Sequence, residues 1–198
     1  MQAMPPVPLP LELTFLRHGA TQANLDGLRC GGDLDLPLTD LGRRQVATAA
    51  QRLREQGARP GLIVTSALQR TRESAAIIAA ALPGLEILVE PCFAERRLGG
   101  WNLRPIADTE PWLAQKITPP GGESDQAFLQ RVDSGLGRLL PHFKRRPLLV
   151  GSKGVARALR VLLDLPRRPV LGNAEADCFD VSAYVQEAAR RASLETAA

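Results

Sequence analysis

Short apolar runs alternate with longer segments of helical periodicity along this chain. Four runs are too short for helices and too apolar for loops, and they lie at residues 13–16, 62–65, 86–89 and 148–150. A further strand is predicted at residues 178–185. Strands that alternate with helices build a mostly parallel sheet covered on both faces, so we predict a three-layer α/β sandwich.

Capping residues delimit the helices between these strands. Thr39 or Asp40 caps a helix that ends near Gly57, and Ser66 is expected to open the next one. The stretch between residues 91 and 122 is predicted to be irregular apart from one short helix. The predicted helices after the first span residues 66–82, 106–116, 124–140 and 155–163.

Length and composition predict one domain. The chain has 198 residues, 44% of them hydrophobic, which is enough to bury a substantial core. We assign this domain to residues 11–185, after a Pro-rich leader at 1–10 that we expect to be disordered and before a helical or frayed tail at 186–198. The leader lacks signal-peptide features and no apolar run has membrane-spanning length, so we expect a cytoplasmic protein without a membrane partner.

Cysteine usage and charge exclude other classes of function. Cys30, Cys92 and Cys178 are odd in number and widely spaced, which argues against a disulfide framework or a metal site. The net charge of +4 is mildly basic, but the chain has few aromatic residues and no dense basic block, so nucleic acid is a poorly supported partner. A small anionic substrate fits the charge equally well. The sequence does not choose between a monomer and a homodimer.

Polar residues follow each of the first four predicted strands. Arg17 and His18 follow the first strand, Arg70 lies just beyond the second, Glu95 beyond the third, and Lys153 beyond the fourth. Ligands of open α/β sheets bind at the carboxyl ends of the strands, where these residues are expected to meet. Arg17 and Arg70 could bracket one phosphoryl group, because a guanidinium donates two parallel hydrogen bonds to phosphate oxygens.

Four of these residues also have a purely structural interpretation. Arg17 and His18 could form a solvated strand end, and Arg70 could only cover its helix. Glu95 is a candidate general acid, since a dianionic substrate nearby favours the protonated carboxyl group. It could equally be a loop carboxylate that pairs with Arg96 or Arg97.

Five ordered motifs resemble the histidine phosphatase superfamily, which has the phosphoglycerate mutase-like fold. The resemblance covers residues 13–163, and the combination is far more specific than any single motif. The motifs are Arg17-His18-Gly19-Ala20-Thr21 with Asn24, Asp35-Leu36-Pro37-Leu38-Thr39 with Gly42, Ser66-Ala67-Leu68-Gln69-Arg70-Thr71, Glu95 with Leu98-Gly99 and Trp101, and Pro120-Gly121-Gly122-Glu123-Ser124.

The resemblance implies covalent catalysis without a metal or other cofactor. His18 would attack phosphorus in line and form a phosphohistidine, while Glu95 protonates the leaving alcohol. Arg17 and Arg70 would stabilise charge on the equatorial oxygens. An imidazole suits this role because a fraction of it is neutral near pH 7, and cationic neighbours favour the neutral form further.

Other residues are candidates for holding the phosphate, with Lys153 counted among the catalytic ones. Asn24 is placed there by family analogy, although Asn24 and Ser66 could instead only stabilise turns. The candidate phosphate-binding residues are Asn24, Arg29, Ser66, Ser152 and Gly154.

The end of the fourth strand departs from the family pattern. Where the family carries a second histidine in a Ser-His-Gly or Gly-His-Gly context, this chain has Ser152-Lys153-Gly154. Lys153 could donate a charged hydrogen bond to the phosphoryl oxygen. It could also point away, at a cost of about 10² to 10³ in rate. A third interpretation is that the added cation binds phosphate esters tightly and releases phosphate slowly.

Three smaller points follow from the same comparison of motifs. His142, the second of two histidines, precedes the fourth strand and is expected at the opposite edge of the sheet. Asn102-Leu103 stands where the family often has Glu-Gly, which leaves the shape of that loop open. Cys30 follows the nucleophile and could be merely buried or, near cations, reactive.

Two functions therefore compete. The first is a phosphomonoesterase that hydrolyses a small phosphorylated metabolite, with hydrolysis favoured over mutase chemistry because the chain is short. Related small phosphatases include α-ribazole phosphatases and broad-specificity phosphatases, and the sequence does not choose among them. The second is a catalytically weak or inactive protein of the same fold that binds phosphate esters.

Overall fold

The computed structural model describes residues 11–195 and contains one five-stranded sheet. Its strands are β1 (Glu12–Arg17), β2 (Leu62–Thr65), β3 (Ile87–Val89), β4 (Pro147–Gly151) and β5 (Ala176–Asp180). Their order across the sheet is β3-β2-β4-β1-β5, with every neighbouring pair parallel except β1 and β5. The predicted α/β fold with a mostly parallel sheet is confirmed.

Helices cover both faces of this sheet. The described part of the chain contains α1 (Gln22–Leu25), α2 (Asp40–Glu55), α3 (Gln69–Ala81), α4 (Ile106–Ala114), α5 (Asp125–Leu139), α6 (Lys153–Leu162) and α7 (Ser182–Glu195). Thr39 caps α2 by accepting a hydrogen bond from the Gly42 amide, and Ser124 caps α5 by accepting one from the Ala127 amide. Both capping predictions are confirmed.

Alternating side chains of β1 divide the core into two layers. Phe15 is fully buried on the face covered by α5 and α6, where its ring meets Phe179 of β5 edge to face at 5.9 Å. Leu16 points to the other face, against Val46 of α2 and Ile78 of α3. Burying each such side chain contributes about 1.5–3 kcal/mol, so the period-two pattern of β1 holds all three layers together.

The last predicted strand is wrong in its second half. The strand ends at Asp180, and Ser182 begins α7. The Asp180 carboxylate accepts a hydrogen bond from the Ser182 amide at 2.8 Å, which turns the chain into a helix instead of extending the strand. The helix predicted to open at Ser66 also begins later, at Gln69, because Ser66 belongs to the turn that precedes it.

Strand register places three loop starts at one edge of the sheet. Arg17 pairs with Gly151 across β1 and β4, and Thr65 pairs with Val150 across β2 and β4. The residues that follow these strand ends are therefore neighbours, as the sequence predicts. The predicted leader lies outside the described residues, and within 11–195 no helix has the length and hydropathy that a membrane crossing requires.

Candidate active site

His18 lies directly after β1 and is buried, with 4% of its surface exposed. Its backbone amide donates to the Gly151 carbonyl at 2.9 Å, which continues the β1–β4 pairing by one residue. Its Nδ1 lies 2.7 Å from the Gly19 carbonyl oxygen. A carbonyl only accepts, so Nδ1 carries the proton and Nε2 keeps a lone pair.

The surroundings of His18 keep its ring neutral. Burial and the charge of Arg70 lower the pKa of His18 to about 3, with a lesser contribution from Arg17, and the hydrogen bond to the Gly19 carbonyl opposes them. The imidazole is therefore unprotonated at pH 7. A neutral ring with a defined tautomer is the state that a nitrogen nucleophile requires.

Two guanidinium groups flank His18, and each is anchored by backbone carbonyls. Arg70 of α3 is 1% exposed and donates to the carbonyls of Leu34 at 2.9 Å and Gly31 at 3.0 Å. Arg17 donates from Nη1 to the Leu171 carbonyl at 2.7 Å. These bonds fix both planes while leaving part of each fork available to another acceptor.

Three buried polar atoms around this strand edge have no hydrogen-bond partner among the described residues. They are Nε of Arg17, Nε of Arg70 and Oγ of Ser152. Buried polar groups are nearly always paired in proteins, so unpaired ones need an explanation. Two guanidinium nitrogens and a hydroxyl next to a neutral histidine match the donors that bind a phosphoryl group.

Glu95 is held at the same edge by backbone amides. Its Oε1 accepts from the Arg96 amide at 2.8 Å, and its Oε2 accepts from the Gly154 amide at 2.9 Å, at the start of α6. A Cβ atom at position 154 would lie 1.9 Å from Oε1 of Glu95. Only glycine leaves room for the carboxylate there.

Lys153 begins α6 and lies half-buried among other charges. Burial and the charge of Arg157 lower its pKa, Arg29 and Arg17 act in the same direction, and Glu110 opposes them. Lys153 therefore adds a cation close to the group that contains Arg17. In the chain, Lys153 follows Ser152, whose unpaired Oγ belongs to the same strand edge.

Comparisons with known proteins agree with this geometry. Residues 13–176 match the family model of the histidine phosphatase superfamily, branch 1. The chain belongs to this superfamily. Its phosphatase and mutase members support a phosphatase-type function for this chain.

Several relatives of this histidine phosphatase family member are similar over most of its length. A probable phosphoglycerate mutase of Yersinia enterocolitica is 37% identical over 169 residues, which cover 79% of this chain and 76% of the relative. A bifunctional protein of Mycobacterium tuberculosis is 34% identical over 166 residues, and the match spans 45% of that longer protein and 78% of this chain.

Solved structures show the same fold. A mycobacterial glucosyl-3-phosphoglycerate phosphatase, solved in complex with VO3, is 32% identical with a TM-score of 0.71, covering 84% of this chain and 91% of that one. A putative alpha-ribazole-5'-P phosphatase of Escherichia coli is 26% identical with a TM-score of 0.73, covering 88% and 92%.

Two of the predicted phosphate-binding residues, Asn24 and Ser66, have hydrogen-bond partners within the protein. Asn24 accepts at Oδ1 from the Thr21 amide at 3.2 Å, within a capping box at α1, and from Asn173 Nδ2 at 3.1 Å. The buried Ser66 hydroxyl lies 2.8 Å from Thr71 Oγ1. Contact of these side chains with phosphate stays a prediction.

Arg29 is directed toward α4. Its Nε donates to Thr109 Oγ1 at 2.7 Å, and its Nη2 forms an ion pair with Glu110 at 2.7 Å. Glu110 also lies 3.7 Å from Arg157 of α6. The structure thus brings Arg29 near Lys153 through Glu110, with the Arg29 guanidinium already bonded to protein groups.

His142 lies away from this site, whereas Cys30 lies near Arg70 and Glu95. His142 belongs to a 3₁₀ segment, Leu140–Arg145, that precedes β4, at the end of the strand opposite Ser152. Burial raises the pKa of the Cys30 thiol, and although the charge of Arg70 opposes this, Glu95, Asp35 and Asp33 act in the same direction as burial. A reactive thiolate, the alternative considered for Cys30, is therefore disfavoured.

The sequence motifs do not identify two groups that hold the site together. Asp33 accepts from the amides of Leu98 and Gly99 and from Asn102 Nδ2, while Asn102 accepts from the Gly31 amide. These hydrogen bonds connect two loops. One carries the carbonyl groups that hold Arg70, and the other follows Glu95. The second group is centred on Arg131, which lies in none of the quoted motifs, although its partner Glu123 lies in the fifth.

Leu103 explains one departure from the family pattern. Its φ is 60°, in the left-handed region that glycine adopts without strain. This backbone conformation accounts for the glycine that the family often has at this position. The loop keeps its shape here because Asn102 on one side is tied to both Gly31 and Asp33.

Proposed function

We propose that this chain is a phosphomonoesterase that hydrolyses a small phosphorylated metabolite through a phosphohistidine intermediate on His18. The observation that carries the proposal is the neutral, buried His18 beside the unpaired Nε atoms of Arg17 and Arg70. A nucleophile with a free lone pair and donors without acceptors form a site for a phosphoryl group.

The first half of the proposed reaction transfers the phosphoryl group to the protein. His18 Nε2 attacks phosphorus, the bond between phosphorus and the ester oxygen breaks, and Glu95 gives its proton to the leaving oxygen. Arg17, Arg70 and Ser152 donate to the equatorial oxygens, where charge must be stabilised during transfer. These side chains supply the charge stabilisation, and the proposed reaction uses no metal ion.

The second half releases phosphate. Glu95 takes a proton from water, the water oxygen attacks phosphorus, and the bond between phosphorus and His18 Nε2 breaks. The rate of the proposed reaction depends on Lys153. It stands where the family has a second histidine, and we propose that its ammonium group donates to the same phosphoryl oxygen, with lower activity than a fixed imidazole would permit.

The alternative is a weak or inactive protein that binds phosphate esters. The position of Lys153 beside Arg17, Arg29 and Arg157 favours it, because each added cation strengthens the hold on phosphate and slows its release. Hydrolysis of p-nitrophenyl phosphate by the wild type, His18→Ala and Lys153→His separates the two functions. Activity that disappears in His18→Ala, together with a phosphorylated peptide containing His18 after rapid quenching, supports the enzyme.

Other outcomes of this assay favour the alternative. A wild type no more active than His18→Ala contradicts the phosphomonoesterase. An inert wild type that gains turnover as Lys153→His indicates a site that has kept its architecture and lost its chemistry. A small-molecule substrate, a cytoplasmic location, a monomeric or homodimeric state, and the absence of nucleic-acid or membrane partners remain predictions.

A further inference from the structure

The segment that carries Glu95 has little regular structure to hold it. Residues 92–97, called the acid loop here, follow β3 through a short 3₁₀ turn, Pro91–Phe93, and then run without helix or strand. Its carbonyl groups need partners from elsewhere in the fold. The carbonyls of Arg96 and Arg97 accept from the backbone amides of Gly32 and Glu123. Those of Cys92, Ala94 and Glu95 share a single guanidinium group on α5.

Arg131 uses all five of its N–H donors on this segment and on one carboxylate. Its Nη1 donates to the carbonyls of Cys92 at 2.8 Å and Ala94 at 3.0 Å, and its Nη2 donates to the carbonyl of Glu95 at 3.2 Å. The two remaining donors form a fork on Glu123, at 2.9 Å from Nε and 2.7 Å from Nη2. No donor is left over for a substrate.

Glu123 makes this arrangement rigid. Its side chain is 3% exposed and lies under the acid loop, where it also accepts from the Arg97 amide at 3.3 Å. Burial alone would raise the pKa of Glu123, but the hydrogen bonds and charge of Arg131 hold it below its usual value. A buried carboxylate paired in this way orients the guanidinium plane toward the loop carbonyls.

We propose that Arg131 and Glu123 are positioning residues for the general acid of the reaction. The proposal rests on the proposed function, in which Glu95 protonates the leaving group. Arg131 binds the backbone of Glu95 itself, so a shift of the loop moves the carboxylate that Arg96 and Gly154 hold by their amides. Displacement of about 1 Å at a reacting group is enough to lower rates strongly.

A leaving-group comparison tests this role. p-Nitrophenolate leaves readily without a proton, whereas phenolate depends on the general acid, so the ratio of their kcat/KM values reports on Glu95. We expect Arg131→Lys to raise the ratio of p-nitrophenyl phosphate to phenyl phosphate by about tenfold, with Glu95→Gln raising it more. Lysine keeps the charge but offers only three donors and no planar fork.

Two further variants keep the test decisive. Glu123→Gln retains the shape of the side chain and leaves Arg131 in place, and it is expected to raise the ratio in the same direction by a smaller factor. Arg138→Lys is the matched control, since Arg138 lies on the same helix and donates to Glu90 at 2.9 Å and to the Cys92 thiol at 3.3 Å, but not to Glu95 or to a backbone carbonyl of the acid loop. Circular dichroism and thermal unfolding of each variant establish that it is folded.

The outcomes separate this inference from the proposed function. A wild type without turnover above His18→Ala overturns the proposed function and this inference with it. Turnover in the wild type with an unchanged ratio in folded Arg131→Lys or folded Glu123→Gln overturns the inference alone. A ratio that rises equally in Arg138→Lys also overturns it, because any disturbance of α5 would then act alike.

Discussion

The two sides of the site are held in place by different kinds of contact. His18, Arg17 and Arg70, the nucleophile side, lie at or next to the ends of strands and are anchored by neighbouring backbone carbonyls. Glu95 and Lys153 belong to the acid side, where a loop is fixed by side chains distant in sequence, such as Arg131.

This difference indicates where the chain tolerates change. The nucleophile side lies close to the strand ends, and its residues match the family pattern. The acid side depends on contacts between loops, and the chain departs from the family there, at Lys153 and at Asn102-Leu103. We therefore expect substitutions on the acid side to alter activity while the fold persists.

Gly154→Ala is expected to have the largest effect and acts on the acid side. The new Cβ would lie 1.9 Å from Oε1 of Glu95 and would displace the carboxylate. We expect kcat/KM for phenyl phosphate to fall about 10²-fold, the lower limit of what a general acid contributes. Steady-state kinetics measures the loss. Gly137→Ala on α5, where a Cβ meets no atom within 4 Å, is the control and should retain activity.

Stability against pH tests the nucleophile side. The pKa of His18 is about 3 in the fold and about 6.5 in the unfolded chain, so in that interval only the unfolded chain binds the proton. The free energy of unfolding is therefore lost as pH falls from 6.5 toward 3, by up to about 1.4 kcal/mol per pH unit. Urea denaturation of the wild type and His18→Gln at several pH values measures this contribution.

The comparison with His18→Gln isolates one group, because the other titrating groups are common to both proteins. The variant should lose less stability than the wild type between pH 6.5 and 4. Parallel curves for the two proteins would mean that His18 is protonated in the fold, which contradicts a buried neutral nucleophile.

Glu110→Gln tests the charge balance around Lys153. Glu110 faces Arg29, Arg157 and Lys153, and its carboxylate offsets part of their charge. Its removal is expected to tighten the binding of inorganic phosphate by about threefold, an effect typical of a partly exposed charge. Isothermal titration calorimetry at low salt measures the change. Glu187→Gln on α7 is a control with an exposed carboxylate, and weaker phosphate binding by Glu110→Gln would contradict the prediction.

Leu103→Gly is expected to have the smallest effect. A left-handed backbone costs a leucine about 1–2 kcal/mol, and glycine loses about 0.5–1 kcal/mol more conformational freedom on folding. The net gain in the free energy of unfolding is about 0.5 kcal/mol, measured by urea denaturation. Leu41→Gly in α2 should instead destabilise the protein, and a loss in Leu103→Gly would show that the leucine side chain matters more than its φ.

Much of the fold could be predicted because local patterns and tertiary structure agree. The apolar runs of β1, β2 and β4 are buried strands, and Thr39 and Ser124 cap the helices where expected. Prediction failed where a polar side chain redirected the backbone. Asp180 turns the chain into α7, and Ser66 lengthens the turn before α3.

The candidate site divides in the same way. Strand ends of a parallel sheet meet at one edge, so the convergence of His18, Arg17 and Arg70 follows from sequence order and family motifs. Arg131 gave no such signal, since an arginine on a helix reads as solvated surface. Its five acceptors come from residues 92–95 and from Glu123, which only the fold brings together.

The sequence by itself determined the superfamily and the sheet and predicted His18 as the nucleophile, because these depend on short-range patterns and on the order of strands. The tertiary structure decided that His18 is neutral with its proton on Nδ1, that Arg29 is bonded to α4, and that Glu95 is fixed by Gly154. Burial and charge at a site arise from groups far apart along the chain, so no local pattern encodes them.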